Sequence, residues 1–419
     1  MPIWNEREER LDLEERSQQQ LERLQSTLNR AYKNVPFYQN LFQTNGIEPS
    51  QMESIADLAK VPLTGAEHFG DNYPYGLFAV PLRDVVRIHT TRGAVLLPTV
   101  SGYTRQDLVN WLDLVARALT AAAVSPNDIL QIDLDPGLSN WGRDYKDGAE
   151  AVGASVIPLT ILPPEKQLLI LRDYRTSVLV TTVSGARQLI HHLFRSNLNP
   201  NSIALKTLIL VGEPPDSAAR AELEEQLHIR TWVHYGLSEV PGPAIAFECE
   251  SRLGLHMSED HFLPEVIDPE TGQFVSNGTE GELVLTTLTT RAFPLIRFRT
   301  GDRVRILPGT CECGRTLRRI EWTSQHSDDL MMIRGVKIYR NQVFALLERA
   351  LGHTPKCCRL YAGRREMRDT LEVWLEMEES FFSDEIKEME KLCGRLSGDL
   401  AMELGVAVVI RLKESGSFC

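Results

Sequence analysis

The segment Thr231-Trp-Val-His-Tyr-Gly-Leu-Ser-Glu-Val240 decides the fold class, because an apolar strand runs directly into a glycine-containing loop. Earlier apolar runs with strand character lie at 128–133, 154–158, 177–182 and 205–211. Stretches with helical character lie at 105–123, 146–152, 164–172, 185–196 and 216–227. Apolar strands that alternate with helices indicate parallel sheets covered on both faces. We therefore expect an α/β fold whose large N-terminal domain is built on parallel-type sheets.

The sequence changes character after this segment. Residues 262–307 alternate with period two around the turn Asp268-Pro-Glu-Thr-Gly272, which predicts a distorted β-barrel subdomain. From residue 328 onward, a strand pair, a helix, a strand, a charged helix and a last strand predict a small α+β unit. The expected domains are thus 1–327 and a mobile lid domain at 328–419. An amphipathic helix is predicted over 6–33.

Composition excludes several classes of function. The chain has 419 residues and a net charge of −12, which argues against binding nucleic acid or an anionic membrane through a basic face. No apolar run approaches the roughly 20 residues that span a bilayer. The N-terminus shows no apolar signal core, and seven cysteines do not form a disulfide framework. We expect a cytoplasmic protein.

The loop that follows residue 234 carries groups suited to a nucleotide. Gly236 lets the backbone approach a ligand, and Tyr235 offers a flat face to a base. Ser238 can hydrogen-bond a phosphate, and Glu239 can hold a divalent cation. Further along, the segment Arg297-Phe-Arg-Thr-Gly-Asp302 ends in a carboxylate. Taken singly, these groups are weak evidence for a nucleotide site, and a structural role is the alternative.

These two segments, followed by Ser327-Asp-Asp-Leu-Met-Met-Ile-Arg-Gly335, resemble the nucleotide motifs of the acyl-adenylate-forming enzymes, and within them the phenylacetate–coenzyme A ligases. The resemblance implies that Tyr235 stacks on adenine, Glu239 ligates magnesium and Asp302 binds the ribose hydroxyls. It also implies that Gly212, Glu213 and Pro214 form an adenine-pocket loop and that Asp328 is a hinge residue. Arg334 and Gly335 would belong to a loop that faces the thiol.

Three departures from that family pattern bear on ATP. The phosphate loop is Thr91-Arg-Gly-Ala-Val-Leu-Leu-Pro-Thr99, in which aliphatic side chains replace hydroxyls, a glycine and a lysine. The segment Val408–Cys419 lacks the catalytic lysine of the small domain, and Gln325-His326 stands where the family has Gly-Arg. Because apolar side chains cannot solvate a polyphosphate, we expect that adenylation is lost, which puts ATP and magnesium in doubt as cofactors.

The expected function is therefore an acyltransferase that uses acyl-CoA. It would move an aromatic acyl group between CoA and another thiol, such as the phosphopantetheine of an acyl carrier protein. Two alternatives stay open: an AMP-forming aryl–CoA ligase, and a non-catalytic homologue that binds a nucleotide or acyl-CoA. A homodimer is compatible with each of them.

The acyl side of the site also has candidate residues. By the resemblance, Trp141 and Tyr145 would suit a flat aromatic acyl group. His89 and His234 are candidate bases for a thiol, and the alternative is that each is a buried, hydrogen-bonded histidine. Asp144 would meet an amino substituent or form a structural salt bridge.

A cysteine–histidine set lies near 249–313. Cys311 and Cys313 form a short knuckle, and Cys249 and His256 complete a Cys₃His set suited to tetrahedral zinc. The set resembles one in relatives of the phenylacetate–CoA ligases, and this resemblance favours a structural zinc. The alternative is four reduced side chains without a metal.

Overall fold

The computed structural model describes residues 2–91, 99–134, 139–157, 163–214, 217–237, 242–326, 330–355, 357–365, 368–376 and 386–414. The helices are α1 Glu6–Arg10, α2 Leu13–Asn34, α3 Pro36–Thr44, α4 Glu67–Asp71, α5 Arg105–Ala121, α6 Ser139–Val152, α7 Pro164–Asp173, α8 Val183–Arg195, α9 Ser217–Leu227, α10 Arg340–Leu351 and α11 Ile386–Leu404. The first nine strands are β1 Arg87–Thr91, β2 Thr99–Tyr103, β3 Ile129–Asp133, β4 Ser155–Ile157, β5 Val178–Thr181, β6 Thr207–Val211, β7 Arg230–Tyr235, β8 Ala246–Glu248 and β9 Leu255–Met257. The other strands are β10 Phe262–Ile267, β11 Glu280–Thr287, β12 Phe298–Leu307, β13 Arg319–His326, β14 Leu330–Ile333, β15 Val336–Tyr339, β16 Cys358–Arg365, β17 Arg368–Glu376 and β18 Val408–Lys413.

One large sheet organises the first 326 residues, in the order β10-β11-β12-β13-β9-β8-β7-β6-β5-β3-β4. The half formed by β7, β6, β5, β3 and β4 is parallel. Strands β5 and β6 are buried along their whole length, because helices that connect the strands cover both faces. The predicted α/β class is confirmed.

The strands between 246 and 326 are antiparallel and belong to the same sheet. Strand β8 pairs with β7, β9 pairs with β8 and β13, and β10 forms the edge. The strands of the predicted barrel region, β10 to β13, therefore continue the large sheet, because β9 and β8 connect them to β7. Along β12, buried residues alternate with partly buried ones, which fits the predicted period of two.

The C-terminal part has a smaller sheet and its own core. Strands β14 and β15 form a hairpin, and β16, β17 and β18 form a three-stranded sheet in which β17 and β18 are parallel. Helices α10 and α11 cover this sheet around a core that includes Ile338, Leu347, Val373, Leu396 and Leu400. Strand β16 was not predicted from the sequence.

The predicted N-terminal helix is divided in two. Helix α1 ends at Arg10, and Asp12 caps α2 by accepting hydrogen bonds from the backbone N–H groups of Glu14 and Glu15. Leu24, Leu28 and Ala31 of α2 are fully buried in the main core. Among the described helices, none is both long enough and apolar enough to cross a membrane.

Candidate functional site

The ends of three parallel strands meet at one edge of the large sheet. Strand β6 ends at Val211 and is followed by Gly212 with φ +83°, and β7 ends at Tyr235. The carboxyl edge of a parallel sheet is where α/β proteins bind ligands. The backbone N–H of Ser184, which follows β5, donates to Oε1 of Glu213 at 3.0 Å. Contacts across this edge thus connect the predicted adenine-pocket loop to the neighbouring strand.

Gly236 is required by a close backbone approach. A Cβ at this position would lie 2.7 Å from Cα of Pro243 and 2.9 Å from the carbonyl oxygen of Gly242, which is too close for any side chain. The glycine therefore allows the loop after β7 to fold against residues 242–243. Ser238 and Glu239 lie outside the described residues, so their predicted phosphate and magnesium roles stay predictions.

Tyr235 and Asp302 are joined directly. The Tyr235 hydroxyl donates to Oδ2 of Asp302 at 2.8 Å, and both residues are buried. The Tyr235 ring packs edge-on against Trp322, with ring centroids 4.9 Å apart and an interplanar angle of 78°. The two residues predicted for adenine and ribose therefore form one unit, a link that the sequence did not reveal.

A lysine from the C-terminal part also reaches Asp302. Nζ of Lys337 lies 2.9 Å from Oδ2 of Asp302 and donates to the carbonyl oxygen of Thr300 at 2.6 Å. The Lys337 side chain is only 8% exposed, although lysine usually lies at the surface. Lys337 was not predicted from the sequence. The signal was present, since Lys337 lies two residues after Gly335 in a strand that is otherwise apolar.

Arg334 and Gly335 form the turn of the β14–β15 hairpin. Their φ angles are +53° and +75°, which is the pattern of a two-residue type I′ turn. Burial, together with the charge of Asp369, raises the pKa of Glu213 to about 7, and the Ser184 N–H and the charge of Arg334 oppose this rise. The predicted thiol-facing loop therefore acts electrostatically on the predicted adenine-pocket loop. Asp328, the predicted hinge residue, lies outside the described residues.

The two candidate histidines each pair with a tyrosine. The Tyr145 hydroxyl is 2.9 Å from Nδ1 of His234, and the Tyr103 hydroxyl is 2.9 Å from Nδ1 of His89. Burial lowers the pKa of His234 to about 3, a shift that a backbone hydrogen bond to Ala118 opposes. Burial, with the charges of Arg87 and Arg143, lowers the pKa of His89 to about 4. Both imidazoles are thus neutral and hydrogen-bonded at neutral pH, and their predicted role as bases stays a prediction.

The predicted acyl-pocket residues lie on helix α6. Trp141 and Tyr145 are buried, and Asp144 on the same helix accepts a hydrogen bond from Arg87 at 3.0 Å. The salt-bridge interpretation of Asp144 is therefore confirmed. Burial still raises the pKa of Asp144 to about 7, despite the opposing charge of Arg87. Helix α6 thus carries Trp141, Tyr145 and a carboxyl group with a raised pKa, that of Asp144.

The cysteine–histidine set converges in space. The ligand atoms of Cys249, His256, Cys311 and Cys313 all lie within 4.8 Å of one another, and all four residues are buried. Nε2 of His256 is 3.3 Å from Sγ of Cys249 and 3.4 Å from Sγ of Cys313. Its Nδ1 faces the carbonyl oxygen of Leu317 at 3.3 Å, which orients Nε2 toward the thiols.

The predicted phosphate loop connects β1 to β2. These strands pair in antiparallel register up to Thr91 and Thr99. The aliphatic stretch itself lies outside the described residues, as does the end of the chain after residue 414. The expectation that the aliphatic side chains of this loop cannot solvate a polyphosphate is therefore not tested by the geometry.

Comparisons with known proteins show extended similarity. Residues 335–418 match the family model of the AMP-binding enzyme C-terminal domain. The phenylacetate–coenzyme A ligase of Escherichia coli (strain K12) is 38% identical over 400 residues, which cover 95% of this chain and 91% of that protein. The similarity therefore extends across both sheets and the nucleotide segments.

Solved structures of 2-hydroxyisobutyryl-CoA ligase are also similar. The complex of that enzyme with its acyl-adenylate and CoA in the thioesterification state has a TM-score of 0.91 and 25% identity, covering 100% of this chain and 90% of that chain. The same enzyme in the postadenylation state has a TM-score of 0.72, with 25% identity and the same coverage.

These comparisons correct the expectation of an acyltransferase that has lost adenylation. The relative that matches nearly the whole chain is a ligase, and the structural neighbour is a CoA ligase with a bound acyl-adenylate. The expectation gave too much weight to the apolar side chains of the phosphate loop. Much of the binding of phosphates by such a loop comes from main-chain N–H groups. Each of the residues Ala94, Val95, Leu96 and Leu97 has such a group. The apolar side chains of this loop are therefore weak evidence against ATP and magnesium as cofactors.

Family membership follows from the similarity over nearly the whole chain together with the joined motifs. The parallel strands, the Tyr235–Asp302 unit and the C-terminal sheet occur in one chain, in the order that the motifs predicted. The alignment with the E. coli ligase covers 95% of this chain and therefore includes both the large sheet and the C-terminal part. The chain belongs to the phenylacetate–coenzyme A ligase family.

Proposed function

We propose that this protein is an AMP-forming acid–CoA ligase for an aromatic carboxylic acid. The observation that carries the proposal is the buried contact of Tyr235 with Asp302 at the carboxyl edge of the sheet. It fixes a carboxylate where the resemblance puts a nucleotide ribose, in a chain that is similar to a ligase along almost its full length.

The proposed reaction has two steps. The substrate carboxylate attacks the α-phosphate of ATP, and pyrophosphate leaves. The CoA thiol, after losing its proton, then attacks the acyl carbon of the acyl-adenylate, and AMP leaves. Magnesium bound with ATP would screen the phosphate charge in the first step. Glu239 is the predicted magnesium ligand, and Ser238 is a predicted phosphate contact.

The described residues support nucleotide binding in specific ways. The carboxylate of Asp302 can accept hydrogen bonds from two ribose hydroxyls, and Tyr235 holds that carboxylate in place. The loop of Gly212, Glu213 and Pro214 lies at the end of the neighbouring strand β6. Its glycine has a positive φ that allows the backbone to turn close to a bound base.

The acyl group proposed is flat and aromatic. Trp141 and Tyr145 place two buried aromatic side chains on one helix, which supports the predicted acyl pocket. The E. coli relative is named for phenylacetate, which is an acid of this class.

We also propose that Cys249, His256, Cys311 and Cys313 hold a structural zinc ion. Tetrahedral ligands at a Zn–S distance of about 2.3 Å are separated by roughly 3.8 Å. The measured Cys249–Cys311 separation of 3.6 Å and the orientation of His256 fit this geometry. Four protein ligands leave no open position, so the ion would tie β9 to the 311–313 knuckle and would take no part in catalysis.

The division into 1–327 and a lid at 328–419 remains part of the proposal. The separate core beneath the C-terminal sheet supports it. Homodimerisation stays a prediction as well. The carrier-protein partner was proposed for the acyltransferase reaction and is withdrawn with it.

The proposal is tested by carboxylate-dependent exchange of pyrophosphate into ATP, followed by detection of the acyl-CoA by mass spectrometry. With phenylacetate and its ring-hydroxylated forms as substrates, the wild-type protein should show both activities. Asp302→Asn should lose most of both, whereas Asp84→Asn, which changes an exposed carboxylate, should retain them. An absence of exchange and product with every aromatic acid in such a panel would refute the proposal.

A further inference from the structure

Lys337 connects the C-terminal part of the chain to the nucleotide site. It lies on β15, within the region that matches the AMP-binding enzyme C-terminal domain, yet its ammonium group contacts Asp302 at 2.9 Å and the Thr300 carbonyl at 2.6 Å. Asp302 is 1% exposed and the lysine side chain 8% exposed. The two charged groups therefore meet in a buried position.

A second contact between the same two parts lies nearby. The backbone N–H of Asp369, at the start of β17, donates to Oγ of Ser184 at 3.3 Å. Ser184 in turn donates its own N–H to Glu213. The C-terminal part therefore contacts Ser184, whose own N–H binds the predicted adenine-pocket loop, as well as Asp302.

Buried ion pairs affect placement more than net stability. The free energy needed to remove two charges from water cancels most of the attraction between them. Separating the pair while one charge stays buried, however, is strongly destabilising. Asp302 belongs to the large part and stays buried on Tyr235, whereas Lys337 moves with the C-terminal part. Any other arrangement of the two parts would leave Asp302 without this cation, so the pair favours the arrangement seen here.

The arrangement itself corresponds to one step of a ligase cycle. The chain superposes on 2-hydroxyisobutyryl-CoA ligase with a TM-score of 0.91 in the thioesterification state and 0.72 in the postadenylation state. The identity and the coverage are the same in both comparisons, and from the difference in TM-score we infer that the two parts are placed as in the thioesterification state.

We propose that Lys337 is a positioning residue for the thiol step: by binding Asp302 and Thr300 it holds the C-terminal part over the nucleotide in the arrangement that forms the thioester. This proposal rests on the proposed ligase function. Lys337 acts through Asp302 and does not itself react. Adenylation would use an arrangement in which the lysine has left Asp302, so the residue would serve one half-reaction and be dispensable for the other.

The test compares the two half-reactions in Lys337→Met. Thioester formation is measured in a single turnover, by adding CoA to enzyme that carries preformed acyl-adenylate. We expect the variant to slow this step by about tenfold or more, because a buried charge loses its partner. Pyrophosphate exchange should stay within about twofold of wild type, since adenylation does not use the contact.

Two further variants serve as controls. Lys391→Met removes an exposed lysine from the same part of the chain and should leave both steps unchanged. Lys337→Arg keeps a cation and should recover part of the thiol step. Equal losses in both half-reactions of Lys337→Met, or no loss in either, would overturn the proposal.

Hydrogen–deuterium exchange gives a readout that does not need turnover. In Lys337→Met, the β14–β15 hairpin and the segment around Thr300 should exchange faster than in wild type, because the two parts separate more readily. Unchanged exchange at both segments would overturn the proposal even in a protein without ligase activity. A wild-type protein that makes no acyl-adenylate, in contrast, would refute the proposed function alone.

Discussion

Changing Tyr235 to phenylalanine separates two roles that the residue can have in nucleotide binding. The resemblance assigns its ring to stacking on adenine, whereas in the structure its hydroxyl holds Asp302 at 2.8 Å. Phenylalanine keeps the aromatic face and the edge-on contact with Trp322 but lacks the hydroxyl. The substitution therefore removes the hydrogen bond to Asp302 and keeps the ring.

The expected magnitude follows from the chemistry of that bond. A hydrogen bond to a buried charged group contributes about 1.5–3 kcal/mol. If the lysine leaves Asp302 during adenylation, as proposed, Tyr235 becomes the main described donor that orients the carboxylate for the ribose. We expect the KM for ATP in pyrophosphate exchange to rise by roughly tenfold to a hundredfold, since 1.4 kcal/mol corresponds to tenfold. The melting temperature should fall as well.

A matched control is Tyr174→Phe, which removes a hydroxyl from an exposed tyrosine. It should leave both the KM and the melting temperature unchanged. If Tyr235→Phe kept a KM for ATP within about twofold of wild type and melted at the same temperature, the reasoning would be refuted. That result would favour ring stacking, which phenylalanine preserves.

Three further predictions concern the metal set, acid sensitivity and the core. Purified protein should contain about one zinc ion per chain by plasma mass spectrometry; Cys313→Ser should lose the ion and melt earlier, whereas Cys358→Ser, outside the set, should keep it. His234 has a folded pKa lowered to about 3, so the unfolded chain binds more protons and the stability that this residue contributes falls as the pH drops below about 6.5. Wild type should therefore lose about 2 kcal/mol more than His234→Gln between pH 7 and pH 5 in urea unfolding; equal losses would contradict this. Arg117 is fully buried and binds both carboxylate oxygens of Asp260 at 2.8 Å. Arg117→Met should lower the free energy of unfolding by about 3–5 kcal/mol, while the exposed Arg172→Met should change it by less than about 0.5 kcal/mol.

The parallel half of the sheet could be predicted because its signals are local. Each strand there is a short apolar run, and every residue of β5 and β6 is buried. The period-two pattern near β12 was equally visible, but its pairing partners were not. Whether such strands close into a barrel or extend a sheet depends on β8 and β9, which are only three residues each. Strands this short give little sequence signal.

The sequence allowed the residues of the site to be identified, but it did not reveal the hydrogen bonds between them. Tyr235 and Asp302 were each identified by type, yet 67 positions separate them in the chain. Likewise, 89 positions separate Tyr145 from His234. Hydrogen bonds between distant positions leave no periodic trace in one sequence. A buried, hydrogen-bonded state of the two histidines was therefore only one of two alternatives, and their tyrosine partners could not be identified.

The error about adenylation shows which departures from a family pattern carry weight. In the phosphate loop, the atoms that face the ligand include main-chain amides, and replacing a hydroxyl by a methyl group leaves those amides in place. At Asp302 the situation is the reverse, because the carboxylate oxygens themselves contact Tyr235 and Lys337, and no backbone atom can replace them. A substitution at Asp302 would therefore have been strong grounds for lost nucleotide chemistry, whereas Ala94 to Leu97 were weak grounds. The presence of Asp302, held by two donors from different parts of the chain, is accordingly the better guide to what this protein does.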